Sequence, residues 1–200
     1  MLAKYFTPSF VISLALILLM ASFSLLGTNV ESLLEFNRSN IQAGEYWRLL
    51  TGNLVHFGSY HLLMNLAAFI LISWTLLREL ALKSYIVLLA LAALMINLGI
   101  LWFTPELEIY RGFSGILHGL LVAGLLLNNF RNKWLSYACV LLVFAKIIHE
   151  HSAGFEANQL QSLLPVKVAV DSHLYGAIAG LVFIIGYYSK RYLQRKKSIA

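Results

Sequence analysis

The sequence predicts an all-α fold of the membrane-embedded kind, a polytopic bundle of six transmembrane helices, and three observations predict it. Hydrophobic residues make up 60% of the 200-residue chain and charged residues only 12%, about half the charged fraction usual in soluble domains. The mean hydropathy of +0.75 makes lipid the solvent for most of the chain. Six apolar runs approach the roughly 20 residues that a helix needs to cross a bilayer; they cover about residues 9–27, 55–77, 84–103, 114–130, 134–148 and 173–189.

The first run follows a short basic lead, Lys4, which resembles the start of a signal peptide. It is longer than a usual signal core and no small-residue cleavage motif follows, so it is read as a retained span. The stretch 28–54 mixes charges with Trp47, Leu49 and Leu50, which points to a structured interfacial element rather than a linker. Runs four to six are short and carry glycines or a polar end, as spans packed inside a bundle do. Irregular ends at membrane depth are tolerated only where protein or a water-filled cavity covers them. Residues 190–200 form a basic tail with Lys190, Arg191, Arg195, Lys196 and Lys197. Its place directly after an apolar run makes it a membrane flank and accounts for much of the pI of 9.5 without a nucleic-acid partner. With no repeat and no composition break, residues 1–200 read as a single membrane domain.

Lys and Arg set the orientation. With the N-terminus inside, the inner segments hold Lys4, Arg78, Lys83, Arg131, Lys133 and the five tail residues, against Arg38, Arg48, Arg111 and Lys167 outside. Lys146 lies near the outer end of run five. The bias favours both termini inside.

Polar groups within apolar runs are costly and therefore functional candidates. His56, His61 and Asn65 fall in the first part of run two; Ser114 opens run four with His118 one turn in; His173 opens run six. Runs two, four and six all travel from outside to inside, so these residues converge at one depth. A serine at a helix start is commonly a cap, but the same position offers backbone N–H groups and the positive dipole end to an oxyanion. Gly112 and Gly115 leave room there for a substrate backbone. The pattern is not a strand-borne nucleophile elbow, because Ile116 stands where a glycine is required and no strand is expected before it. Serine needs a base, and His173 carries Gly176 and Gly180 on or near its face, opposite a ridge of Gly115, Gly119 and Ala123. Small ridges let membrane helices approach closely. The alternative is helix packing with an incidental histidine. His61 and Asn65, four apart, share a face and could donate to an oxyanion or pair structurally. His56 could equally hold the outer loop.

The lone Cys139 excludes an intrachain disulfide and a cysteine-based metal site. His149-Glu150-His151 lacks the H-E-x-x-H spacing of a helical zinc site and reads as a solvated loop. No metal is expected.

Glu45-Tyr46-Trp47-Arg48 followed by His56, His61 and Asn65 resembles the signature of the rhomboid family of intramembrane proteases. Gly112-Phe113-Ser114-Gly115 resembles its serine motif, and His173, Gly176 and Gly180 its histidine motif. The likeness runs from about residue 45 to 185, in the family's order. It implies a Ser114–His173 dyad with no third acidic member, an oxyanion hole involving His61 and Asn65, and no cofactor. The run Gly112 to Gly119 also resembles the rhombosortase branch, whose members process bacterial proteins bearing a C-terminal Gly-Gly tail, a transmembrane stretch and a basic end. The implied partners are membrane-anchored protein substrates and the lipid bilayer. The expected location is the bacterial inner membrane, as a multi-pass protein with its site toward the periplasm.

Two departures stand out. His118 occupies a position where the family usually carries an aromatic residue, and it could orient His173, touch substrate or simply stack. Asp171 and Ser172 replace a small-residue run; Asp171 could act on His173, meet a cationic substrate group or be an exposed loop acid. The competing functions are a non-catalytic rhomboid-like protein that binds or escorts clients, and a small transporter with a histidine proton relay. The transporter gains nothing from a serine at the start of run four.

Overall fold

The computed structural model describes residues 7–127, 133–152 and 169–198. In chain order these form α1 (Pro8–Leu25), α2 (Thr28–Leu34), β1 (Phe36–Asn37), α3 (Arg38–Gln42) and α4 (Arg48–Thr51). A 3-10 turn (Gly52–Leu54) leads to α5 (Ser59–Ile72), which continues as a π-helical turn (Ser73–Leu77). The remaining elements are α6 (Leu82–Phe103), β2 (Ile109–Tyr110), α7 (Ser114–Leu127), α8 (Lys133–Glu150) and α9 (Val170–Lys197). Among the described residues, four helices are long and apolar enough to cross a membrane: α1, α5 with its π turn, α6 and α9. The 22 residues of α6 extend about 33 Å, the thickness of a hydrocarbon core. Among the described residues the fold is an all-α polytopic bundle apart from one two-residue antiparallel ribbon, in which Phe36 faces Tyr110 and Asn37 faces Ile109.

The helix starts follow local chemistry. Thr7 caps α1 by accepting from Phe10 N–H at 3.3 Å, with Pro8 in the first turn, where its missing N–H costs nothing. Residues 55–58 are irregular, and Gly58 (φ +87°) turns the chain into α5 at Ser59. The second span is therefore shorter than its apolar run, and His56 lies before the helix rather than on it. The last helix is longer than its run at both ends. Asp171 and Ser172 form its first turn, where an acid suits the positive dipole end, and the basic tail continues it to Lys197, where cations suit the negative end.

Short α7 is the centre of the bundle: nine of its fourteen residues are buried. Large side chains such as Leu18, Ile70, Leu141 and Ile185 on the surrounding helices point outward and are exposed, as lipid-facing positions should be. Interhelical bonds tie α1, the π turn and α6 together: Tyr85 Oη pairs with Ser13 Oγ at 2.7 Å and with Ser73 Oγ at 3.0 Å.

The segment between α1 and α5 is structured, as expected for 28–54. Arg38, 8% exposed, donates to the carbonyls of Ile100, Leu101, Thr104 and Leu107 at 2.7–3.2 Å. It thereby ties together carbonyls at the end of α6 and in the turn that follows it. Arg48 donates to the Ser32 and Glu35 carbonyls, both at 2.8 Å, and to Glu45 at 2.6 Å. Lys4, Arg131 and Lys167 of the charge count, and the 128–130 end of run four, lie outside the described residues.

Candidate active site

The site exists because α7 and α9 touch backbone to backbone. A Cβ on Gly119 would lie 2.7 Å from the Gly176 carbonyl oxygen, and one on Gly115 2.7 Å from that of Ser172. A Cβ on Gly176 would collide with the Gly115 carbonyl, and one on Gly180 would sit 2.5 Å from that of Gly119. The glycine ridge read from the sequence is thus the seam that lets Ser114, first residue of α7, meet His173, in the first turn of α9.

Ser114 Oγ lies 3.1 Å from His173 Nε2. The other ring nitrogen, Nδ1, faces the Glu150 carboxylate at 3.0 Å. A carboxylate accepts only, so Nδ1 carries the proton and Nε2 presents its lone pair to the serine hydroxyl. That tautomer is the one a general base requires. His173 is 5% exposed, so bulk water does not compete for either nitrogen.

His118 stacks on His173, with ring centroids 4.2 Å apart and planes 20° from parallel. Its Nδ1 lies 2.8 Å from the Ser114 carbonyl and must donate, while its Nε2 is 3.4 Å from Lys146 Nζ and must accept. Both nitrogens are committed away from the serine hydroxyl. Of the arrangements open in the sequence, the stacked one is the geometry observed.

His61, in the first turn of α5, packs against the backbone just before the serine: a Cβ on Gly112 would lie 2.8 Å from its Cε1. Gly112 also holds φ +139°, a conformation side chains rarely adopt. The Gly112 carbonyl accepts from Tyr110 Oη at 2.7 Å. Arg111 anchors the same loop through Glu35 at 2.7 Å and Glu31 at 2.9 Å. Asn65 is one turn beyond His61 and 4% exposed. Among the described residues, His61 Nδ1 and Asn65 Nδ2 are buried without a hydrogen-bond partner. Both ring nitrogens of His56 are likewise buried and unpaired; its ring meets His61 edge to face at 5.1 Å. His56 therefore backs His61 and stands apart from the Ser114–His173 pair.

Three expectations need correction. Glu150 is not in a solvated loop: it ends α8, is 8% exposed and supplies the acidic neighbour of His173 that the dyad reading omitted. Its second oxygen pairs with Lys146 Nζ at 2.6 Å. Asp171 is a half-buried helix residue, and it pairs with His151 Nε2 at 3.0 Å rather than with His173. A strand, two residues long, does precede the serine, although residues 111–113 separate it from Ser114 and no elbow forms. The signal for Glu150 was present in the sequence as an acid four residues after Lys146, on the same helical face. Among the described residues no group of three or more His, Cys, Asp or Glu side chains could hold a metal ion.

Comparison with known proteins agrees with this architecture. A model of the Rhomboid domain family matches residues 43–190. A Bacillus subtilis (strain 168) protein named "Putative rhomboid protease YdcA" is 28% identical over 144 residues, which cover 70% of this chain and 66% of that protein. The matched part thus spans just under two thirds of the relative's length. With the family model covering most of its length, and with the bundle it builds, the chain belongs to the rhomboid family.

Proposed function

We propose that the chain is an intramembrane serine endopeptidase, one membrane domain over residues 1–200, with Ser114 as nucleophile and His173 as general base. The observation that carries the reading is the 3.1 Å contact between Ser114 Oγ and a His173 Nε2 whose proton sits on the opposite nitrogen. Ser114 Oγ–H passes its proton to Nε2 as Oγ attacks the substrate carbonyl carbon. The carbonyl π electrons move onto oxygen to give the tetrahedral oxyanion. The Ser114 N–H, at a helix start with no intrahelical acceptor, together with His61 and Asn65, supplies donors for it. Such donors are worth about 10²–10³ in rate each. Collapse breaks the C–N bond, Nε2–H protonates the leaving amine, and Ser114 holds the acyl group. Water, or an amine in transpeptidation, then takes the acyl group by the same steps in reverse.

The substrate class is a membrane-anchored protein cut near the outer surface, where a transmembrane helix unwinds to offer an extended backbone. A multi-pass location in the bacterial inner membrane with the site toward the periplasm fits the placement of charge. Arg38, Arg48 and Arg111, at the site's end, are all engaged in internal bonds. Arg78, Arg191 and Arg195 line one cavity at the opposite ends of α5 and α9, as cytoplasmic flanks would. The finer reading is rhombosortase-type processing of C-terminal Gly-Gly-tailed anchors.

A fluorophosphonate probe is expected to label the wild type and neither Ser114→Ala nor His173→Ala; equal labelling of all three sinks the reading. Intact masses of Gly-Gly-tailed proteins co-expressed with active or Ser114→Ala enzyme then test the substrate class and reveal any added amine.

A further inference from the structure

We propose that Glu150 completes the site as a positioning residue. It holds His173 in the productive tautomer and faces the imidazolium that forms during attack, while Lys146 fixes the carboxylate. The proposal rests on the Ser114–His173 reading and adds a member to it.

The position of Glu150 is hard to explain otherwise. An acid at the C-terminal end of a helix opposes the helix dipole, and burial of a carboxylate is costly unless both oxygens are satisfied. Here each oxygen has one partner: Oε2 faces His173 Nδ1 at 3.0 Å, and Oε1 faces Lys146 Nζ at 2.6 Å. The Glu150 and His173 side chains are 5% and 6% exposed, whereas Lys146 is 53% exposed. A surface ion pair between Lys146 and an outward-turned Glu150 would leave α8 equally well served. The inward turn serves His173. Lys146 also approaches His118 Nε2 at 3.4 Å, so one ammonium steadies both the carboxylate below the catalytic ring and the ring stacked upon it.

This arrangement makes a distinctive prediction about Glu150→Gln. The amide has one accepting and one donating end. With Lys146 present, the accepting oxygen turns to the ammonium and the NH₂ turns to His173 Nδ1. His173 must then carry its proton on Nε2, where it cannot take the serine proton. Removing the ammonium in Lys146→Met/Glu150→Gln frees the amide to flip, so that its oxygen again accepts from Nδ1–H. A residue that merely braced α8 against α9 would show no such rescue.

The test is the labelling kinetics of the full-length protein in detergent with a fluorophosphonate, separating the limiting inactivation rate from the apparent affinity. Glu150→Gln is expected to lower the limiting rate by up to about 10⁴-fold, the loss seen when a triad acid becomes an amide, with affinity within about twofold. The double variant is expected to regain at least about tenfold over Glu150→Gln. If Glu150→Gln unfolds part of the sample, rates are taken per folded molecule and the double variant decides: recovery supports the proposal and no recovery overturns it. A wild-type rate for Glu150→Gln while Ser114→Ala is unlabelled overturns the role of Glu150 and leaves the serine–histidine pair standing. Labelling of Ser114→Ala at the wild-type rate would instead remove the reading on which the proposal rests.

Discussion

Gly119→Ala offers a direct measure of how closely α7 and α9 must approach. The added methyl would sit 2.7 Å from the Gly176 carbonyl oxygen and 3.4 Å from Ala92 Cβ. The first neighbour is backbone and cannot rotate away. Restoring an ordinary contact of 3.4 Å parts the helices by about 0.7 Å. Transmitted to the start of α7, the shift stretches the 3.1 Å Ser114–His173 bond to about 3.8 Å, outside hydrogen-bond range. Misplacement on this scale costs roughly 10–10² in rate, and overpacking costs about 1–3 kcal/mol in stability. Gly186→Ala, on α9 with nothing within 4 Å of the added atom, is the control. Fluorophosphonate labelling and thermal unfolding in detergent read both quantities. Gly119→Ala matching Gly186→Ala in rate and in Tm would refute the backbone seam as the determinant of the site.

Further outcomes follow from other contacts. Arg38→Met keeps the aliphatic stem but loses four carbonyl bonds at the end of α6. It is expected to cost about 3 kcal/mol, read as a fall in Tm that Arg38→Lys recovers only in part. His118→Phe preserves the face stacked on His173 and is expected to retain labelling within about tenfold, whereas His118→Ala falls further; equal rates for the two would show that the stack contributes nothing. His151 donates from Nδ1 to the Ile147 carbonyl and from Nε2 to Asp171, which only the imidazolium can do at once, so its pKa is raised, by the Ile147 carbonyl first and then by Asp171. A raised folded pKa means that this tether between α8 and α9 contributes fully below about pH 6.5 and fades as pH rises through the folded value. Wild-type Tm should therefore fall over that window by more than the Tm of His151→Gln; parallel curves would exclude the tether.

Much of the site could be read from the chain because membrane burial makes polar residues conspicuous. Ser114, His173, His61 and Asn65 stood out against apolar runs, and span order alone put them at one depth. The glycine seam followed from spacing, since i, i+4 glycines on two helices have few purposes besides close approach. Helix ends were less legible. Hydropathy says where lipid is, not where backbone bonding starts, so Gly58 delayed α5 and Asp171 advanced α9 beyond what the apolar runs suggested. His118 could be placed but not assigned, because its role depends on which partner each ring nitrogen meets.

Glu150 was missed for a different reason, and it bears on how charged residues near membrane surfaces are read. Its flanking histidines drew attention to a metal motif with the wrong spacing, and dismissing the motif also dismissed the acid. The telling relation was to Lys146 on the same face. A Lys four residues before a Glu is usually a solvated pair worth a few tenths of a kcal/mol, and nothing local distinguishes this one. What does is the third partner, His173, which comes from a helix 23 positions later in the sequence. An ion pair at the end of a polar-tipped helix meets a reactive side chain only when another helix delivers a histidine to its acidic half. The same physics sorts the arginines. Arg38, Arg48 and Arg111 lie at the site's end yet are all committed to carbonyls or carboxylates, so they hold the loops around Ser114. A charge near a membrane surface therefore informs about function in proportion to how fully its partners remove it from water.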